Sequence, residues 1–162
     1  SAAIVEPRNH GYLNYVILNV FSNLPLVRPI HVFHGLSVNF TQDIKDAVVN
    51  GSIILHQLNA TNFDKREYSA LLTSKEFWLY FRADKVLIFQ TDSVICSNSD
   101  DKHFPLSDFL QYDYIGGRAE YLDHGNGGFS LRDRKLSLIC SQFGGINIGK
   151  TRAVLPANDI TP

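Results

Sequence analysis

Asp92 follows an unbroken apolar run, Val86-Leu-Ile-Phe89, with Gln90 and Thr91 between and Ser93 just after. A carboxylate at the end of a buried strand is costly unless something pairs with it. In open α/β sheets, ligands bind outside the carboxyl ends of the strands. The chemistry this suits is a hard-oxygen site in which Asp92 holds magnesium or manganese and shares the ion with a nucleotide's phosphates. The alternative is an Asp that closes the turn after the strand. A second group, Gly125-Asn126-Gly127-Gly128, has three glycines in four positions. Such a stretch can aim backbone N–H groups at an anion or let a sugar lie against the chain, with Asn126 as amide donor and acceptor. It can equally form a tight hairpin between Asp123 and Phe129. A third group is Glu6-Pro7-Arg8 with His34-Gly35, at the expected ends of two strands. Arg8 suits a phosphate and Glu6 a base or ribose edge; the competing reading is a local ion pair and a helix-capping histidine.

A rival pattern lies further along. Gly144-Gly-Ile-Asn-Ile-Gly149-Lys150-Thr151 matches the phosphate-binding P-loop letter for letter. That mechanism needs a buried strand before the loop and a helix opening at Lys150. Here a helical pattern precedes the loop, and Pro156 cuts short any helix after it. A helix C-cap followed by a glycine loop is the simpler reading. The remaining histidines, His10, His31, His56, His103 and His124, show no metal-ligand spacing. No nucleophile elbow and no His-x-x-x-His helix occur.

These groups need a scaffold, and the periodicity supplies one. Residues 2–5 read as a strand that delivers Glu6-Pro7-Arg8. Leu13, Val16, Ile17, Val20 and Leu24 mark one face of a helix closed by Pro25. A strand over 29–33 leads to His34-Gly35. The next helix has Thr41 as N-cap, Ile44, Ala47 and Val48 inward, and Gly51 past its end. A strand over 52–58 and a long helix over 63–81 follow, with Tyr68, Leu71, Leu72 and Trp78 facing in. The order β-α-β-α-β-α-β predicts a mostly parallel central sheet flanked by helices. The second half is less regular. It reads as a loop over 97–102, a helical turn over 106–110, a short strand over 112–115 stopping at Gly116-Gly117, and a loop over 118–124. A last helix, capped by Asp133 and ended by Gly144, has Leu136, Ile139, Cys140 and Phe143 on one face.

Bulk properties narrow the classes. A chain of 162 residues with 44% hydrophobic content suits one globular domain. A net charge of −1, from 15 basic and 16 acidic residues, gives no electrostatic case for nucleic acid. No apolar run reaches the length of a membrane span, and no signal peptide opens the chain. Two cysteines, Cys96 and Cys140, are expected to be buried free thiols. The sequence contains no Met, so a start removed by processing or excision is expected. Sequons at Asn39, Asn50 and Asn59 hint at a secretory compartment and leave a cytoplasmic one open.

Val5-Glu-Pro-Arg8, Phe33-His-Gly35, Phe77-Trp78, Phe89-Gln-Thr-Asp-Ser93, Tyr112-Asp-Tyr-Ile-Gly116 and Gly125-Asn-Gly-Gly-Phe-Ser-Leu-Arg132 occur in that order. Together they resemble a family known only as a domain of unknown function within the GT-A glycosyltransferase superfamily. The resemblance runs to about residue 134. It implies a single GT-A-like, Rossmann-like domain over 1–162, with a nucleotide-binding part at 1–96 and an incomplete acceptor-side part at 97–162. It implies a transferase that uses a nucleotide-diphosphate sugar and Mn or Mg. Glu6, Pro7, Arg8, His34, Gly35, Gln90, Thr91, Asp92 and Ser93 would bind the donor, and Asn126, Gly127 and Gly128 would face the sugar or acceptor. The family's metal-binding Asp-x-Asp looks here like Gln90-Thr91-Asp92, so the first carboxylate is absent. In similar inverting enzymes the general base lies in a segment expected beyond Pro162, which implies a chain cut short and either inactive or binding-only. The acceptor is not specified.

Overall fold

A computed structural model of the chain describes residues 1–96, 106–117 and 126–143, with only the backbone at 126. The order is β1 (Ala2–Glu6), α1 (Leu13–Asn23), β2 (Ile30–His34), α2 (Gln42–Val49), β3 (Ile53–Gln57), α3 (Lys65–Thr73), α4 (Lys75–Leu79), β4 (Lys85–Phe89), α5 (Leu106–Phe109), β5 (Tyr114–Gly117), β6 (Asn126–Asp133) and α6 (Arg134–Gln142). The strands form one six-stranded sheet in the order β3-β2-β1-β4-β6-β5.

The expected alternation of the first half is present, and β3, β2, β1 and β4 pair in parallel. The second half corrects the expectation of a mostly parallel sheet. β6 is antiparallel to both β4 and β5, so the sheet is mixed. Chain length explains the change at β5 and β6. Residues 118–125 are the whole connection between them, and a parallel crossover needs about a dozen residues or more. The glycine-rich stretch from Asn126 onward, read above as a loop or tight hairpin, is the first part of this strand. A register shift at Gly116/Gly117 marks where the β5–β6 ladder becomes irregular.

Two buried clusters sandwich the sheet. α1 and α2 cover one face, where Leu13, Val16, Ile17, Val20 and Ile44 pack on Ile4, Val32, Leu87 and Phe89. α3 and α4 cover the other, where Leu71, Leu72, Phe77 and Trp78 pack on Val5, Phe33, Val86 and Ile88. Except for Leu131, every fully buried member of both clusters comes from the first 89 residues.

The long helix expected over 63–81 is two helices. Ser74 has extended backbone, φ −78° and ψ 145°, and ends α3 while capping α4. Its hydroxyl donates to the Leu71 carbonyl at 2.7 Å and accepts from Phe77 N–H at 3.3 Å. A serine that can satisfy the backbone locally competes with a continuous helix. The cysteines also depart from expectation, since Cys96 and Cys140 are both exposed. Cys140 lies on α6, whose outer face also leaves Ile139 and Phe143 exposed.

Candidate functional site

The sheet order contains a switch point. From β1 the chain steps outward to β2 and β3, then returns to place β4 on the other side of β1. Loops leaving β1 and β4 at their carboxyl ends therefore diverge, and the crevice between them is where such sheets hold ligands. Glu6, Pro7 and Arg8 leave β1 there, and Gln90 to Ser93 leave β4 beside them. On the other flank of β4, the antiparallel ladder pairs Ile88 with Ser130. Continued two residues, that register sets Gln90 opposite Gly128. The start of β6 thus lies alongside the end of β4, because β6 runs in the opposite direction.

At the β1 end, the local ion pair is what forms. Glu6 is buried and accepts from Arg8 Nε at 2.8 Å, Nη2 at 2.7 Å and the Arg8 N–H at 3.0 Å. Burial opposes ionisation of Glu6, but the hydrogen bonds from Arg8 outweigh it and hold the carboxyl below its ordinary range. Arg8 keeps its side chain 55% exposed, so the guanidinium is anchored on one edge and open on the other. Pro7 and Gly35 are in contact: a Cβ on Gly35 would run into the Pro7 and Ala60 carbonyls. Gly35 is therefore the point where three strand-end loops meet. His34 bonds through Nδ1 to the Gly35 carbonyl at 3.0 Å and sets its ring edge-on to Phe40. Burial lowers its pKa, partly offset by that carbonyl.

At the β4 end, the turn is closed by Gln90 and Ser93, not by Asp92. Ser93 N–H donates to the Gln90 carbonyl at 3.1 Å, and the Ser93 hydroxyl lies 3.5 Å from Gln90 N. Asp92 is exposed, and no hydrogen bond or ion pair to a described residue occupies its carboxylate. The segment is tethered from α1. Asn19 accepts from Ile95 N–H at 2.7 Å and donates to the Ile95 carbonyl at 3.0 Å.

Two further residues, not singled out as site residues, act electrostatically on these strand ends or lie on β6 beside them. Tyr68, one turn into α3, has a hydroxyl sealed from water with no well-formed hydrogen bond. Burial raises its pKa; Gln90 and Arg132 oppose that, while the negative charges of Glu6 and Asp92 add to it. Tyr68 thus lies within electrostatic reach of the β1 end, the β4 end and β6. Arg132 on β6 reaches back along its own strand: Nε donates to Ser130 Oγ at 3.0 Å and Nη2 to the Gly127 carbonyl at 3.2 Å. A Cβ on Gly127 would come within 2.7 Å of that guanidinium, a contact from which the flexible arginine end can move away. The signal for Arg132 was present in its strand parity with Ser130, but it shows only once the glycine stretch is read as a strand.

Whether a divalent cation fits can be judged from the oxygens present. Among the described residues, no group of three or more His, Cys, Asp or Glu side chains converges. Of the two carboxylates at the ends of β1 and β4, Glu6 is committed to Arg8 and Asp92 keeps open oxygens. That set suits an ion shared with phosphates, as magnesium is usually held, and does not suit a closed protein cage.

The Gly144–Thr151 pattern lies outside the described residues, as does Gly125. The element nearest before it is α6, a helix and not the buried strand a P-loop requires.

The fold defines an α/β protein with a mixed sheet whose strand order reverses between β1 and β4. The family described as "Protein of unknown function (DUF5672)" matches residues 52–152, more than half of the chain, and the chain belongs to that family. No curated protein matches it. Among the described residues, no helix is long and apolar enough to cross a membrane.

Proposed function

We propose that this chain is a glycosyltransferase-like domain of the GT-A type that binds a nucleotide-diphosphate sugar with manganese or magnesium. The observation that carries this reading is the convergence of Glu6–Arg8, Gln90–Ser93 and Gly127–Gly128 on one crevice at the carboxyl edge. Arg8, anchored by Glu6, presents its open edge to the nucleotide. Asp92 would hold the ion together with the diphosphate. When bound, the ion supplies positive charge to the diphosphate as it leaves the sugar. Gly127 and Gly128, with little side-chain bulk, let the sugar or acceptor approach the backbone of β6.

Calorimetry with uridine and guanosine diphosphate in the presence of manganese tests the reading. Binding is expected to need the metal and to weaken by roughly tenfold or more in Asp92→Ala, while Lys150→Ala leaves it intact. Loss on Lys150→Ala with Asp92→Ala unaffected would favour the P-loop.

A second reading is favoured by the lone carboxylate. With Gln90 in place of the first acidic residue, the domain could bind a nucleotide sugar without turning it over. Binding without sugar transfer or donor hydrolysis would select it.

A further inference from the structure

We propose that the outer edge of β3 is an interface with a second copy of this chain, in which two β3 strands pair antiparallel about a two-fold axis and join the two sheets. This edge lies beyond β2, on the far side of β1 from β4, so the inference does not depend on the transferase reading.

β3 is the last strand on its side of the sheet and pairs with β2. Two bonds at the ends of that ladder fix which way its backbone points. Ile30 N–H donates to the Ser52 carbonyl at 3.0 Å, and Leu58 N–H donates to the His34 carbonyl at 2.7 Å. In a parallel pair, alternate residues of a strand turn both N–H and C=O toward the same neighbour. Ser52, Ile54, His56 and Leu58 therefore bond toward β2, and Ile53, Leu55 and Gln57 present their backbone groups outward. No hydrogen bond from a described residue meets those outward groups.

Natural sheets protect such an edge with charge, proline, a bulge or brevity. β5, the opposite edge, is protected in this way. It runs only from Tyr114 to Gly117, and its ladder becomes irregular at its two glycines. β3 has none of these devices. Ile53-Ile-Leu-His-Gln57 contains no Lys, Arg, Asp, Glu or Pro, and its register with β2 is unbroken. Ile54 is 37% exposed there.

A second copy is the occupant that fits, because the strand is its own complement. With Leu55 on the axis, Leu55 meets Leu55 of the second copy and Ile53 meets Gln57, so each outward N–H finds an outward C=O. Between these pairs, Ile54 comes opposite His56. No like charges are opposed, since burial holds His56 neutral at pH 7.

One strand from each copy makes a small interface, so association is expected to depend on concentration, with dimer forming at roughly 10–100 µM protein. Sedimentation velocity of the full chain over that range, with hydrogen exchange resolved to single amides, tests this. Exchange at Ile53, Leu55 and Gln57 is expected to slow as dimer forms. Gln57→Pro removes an outward donor at the exposed end of the strand and leaves the β2 ladder whole. It should weaken dimerisation roughly tenfold or more. Gln57→Ala keeps the N–H and should dimerise as the unaltered chain does. Ile54→Lys puts a charge on the edge and should also weaken association, which keeps the test decisive where Gln57→Pro fails to fold. The proposal is overturned by a monomer throughout the range, by a dimer that Gln57→Pro or Ile54→Lys leaves unchanged, or by Gln57→Ala disrupting it as much as Gln57→Pro. Protection at residues 114–117 in place of β3 would overturn it too. A monomer whose β3 amides are protected only by an added peptide of another sequence would give the edge to a foreign strand and remove the second copy.

Discussion

Gly35 holds the crevice together by what it lacks. Three loops, following β1, β2 and β3, meet at its α-carbon, and the Pro7 and Ala60 carbonyls occupy the space a side chain would need. Gly35→Ala must push two backbones apart, not merely turn a flexible side chain. A cost of about 2–3 kcal/mol is expected, read as a lower urea midpoint with an unchanged slope. The same displacement would carry Pro7 away from its neighbours, so nucleotide binding should fall along with stability. Its position after a strand suggested Gly35 as a donor-binding residue; the structure gives it a mechanical role as the meeting point of three loops. Glu6 and Arg8 were legible as a pair for a similar reason, but which of the two stays open was not. Only three-dimensional burial shows that Glu6 is committed to Arg8 and Arg8 alone is open.

At the scale of elements, periodicity revealed most of what lies before residue 90 because each strand and helix there buries a full face. It failed where a single side chain diverted the backbone. Ser74 splits one expected helix into α3 and α4, and no hydrophobic spacing signals it. It failed again at β6, where glycines mask the alternation that a strand shows. α3 illustrates how side chains fix the start of a helix. Asp64 accepts from Arg66 and Glu67 N–H at 2.7 and 2.8 Å, and Glu67 returns a bond to Asp64 N–H at 2.9 Å. This reciprocal cap fixes the first turn, and Tyr68 follows directly after it. Asp64→Ala is expected to cost about 1 kcal/mol of stability by chemical denaturation.

Over the whole molecule, acid should be the condition that unmakes the fold. His31 on β2 and His56 on β3 are bonded ring to ring, Nδ1 to Nε2 at 2.9 Å, with the rings stacked 5.2 Å apart. Phe81 packs against His31, and Phe33 and Tyr80 against His56. Burial lowers His31 to about 3, helped by His56 and the chain's amino terminus, and lowers His56 to about 4, helped by His34. Both groups are neutral when folded and take up protons on unfolding. Their contribution is therefore fully present above the ordinary 6.5 and is lost as pH falls from there toward the folded values. Each histidine taken alone would cost about 3 kcal/mol between pH 7 and pH 4, so melting is expected to show a loss of up to roughly 6 kcal/mol, about halved in a His31→Phe variant, in which His56 stays buried. A pH-independent melting temperature over that window would contradict it. Sequence spacing could not reveal this pair, since 25 residues separate its members and only the parallel register of β2 and β3 brings them together.

The reversed direction of β6 sets an order of events during synthesis. Nearly every side chain that fills the two clusters has been made by the time Phe89 is added, so collapse can begin early on the ribosome. The antiparallel partner of β4 arrives only when β6 emerges and threads in beside it. A nascent chain would thus be compact before its sheet is complete, and β6 closes onto a core that is already filled.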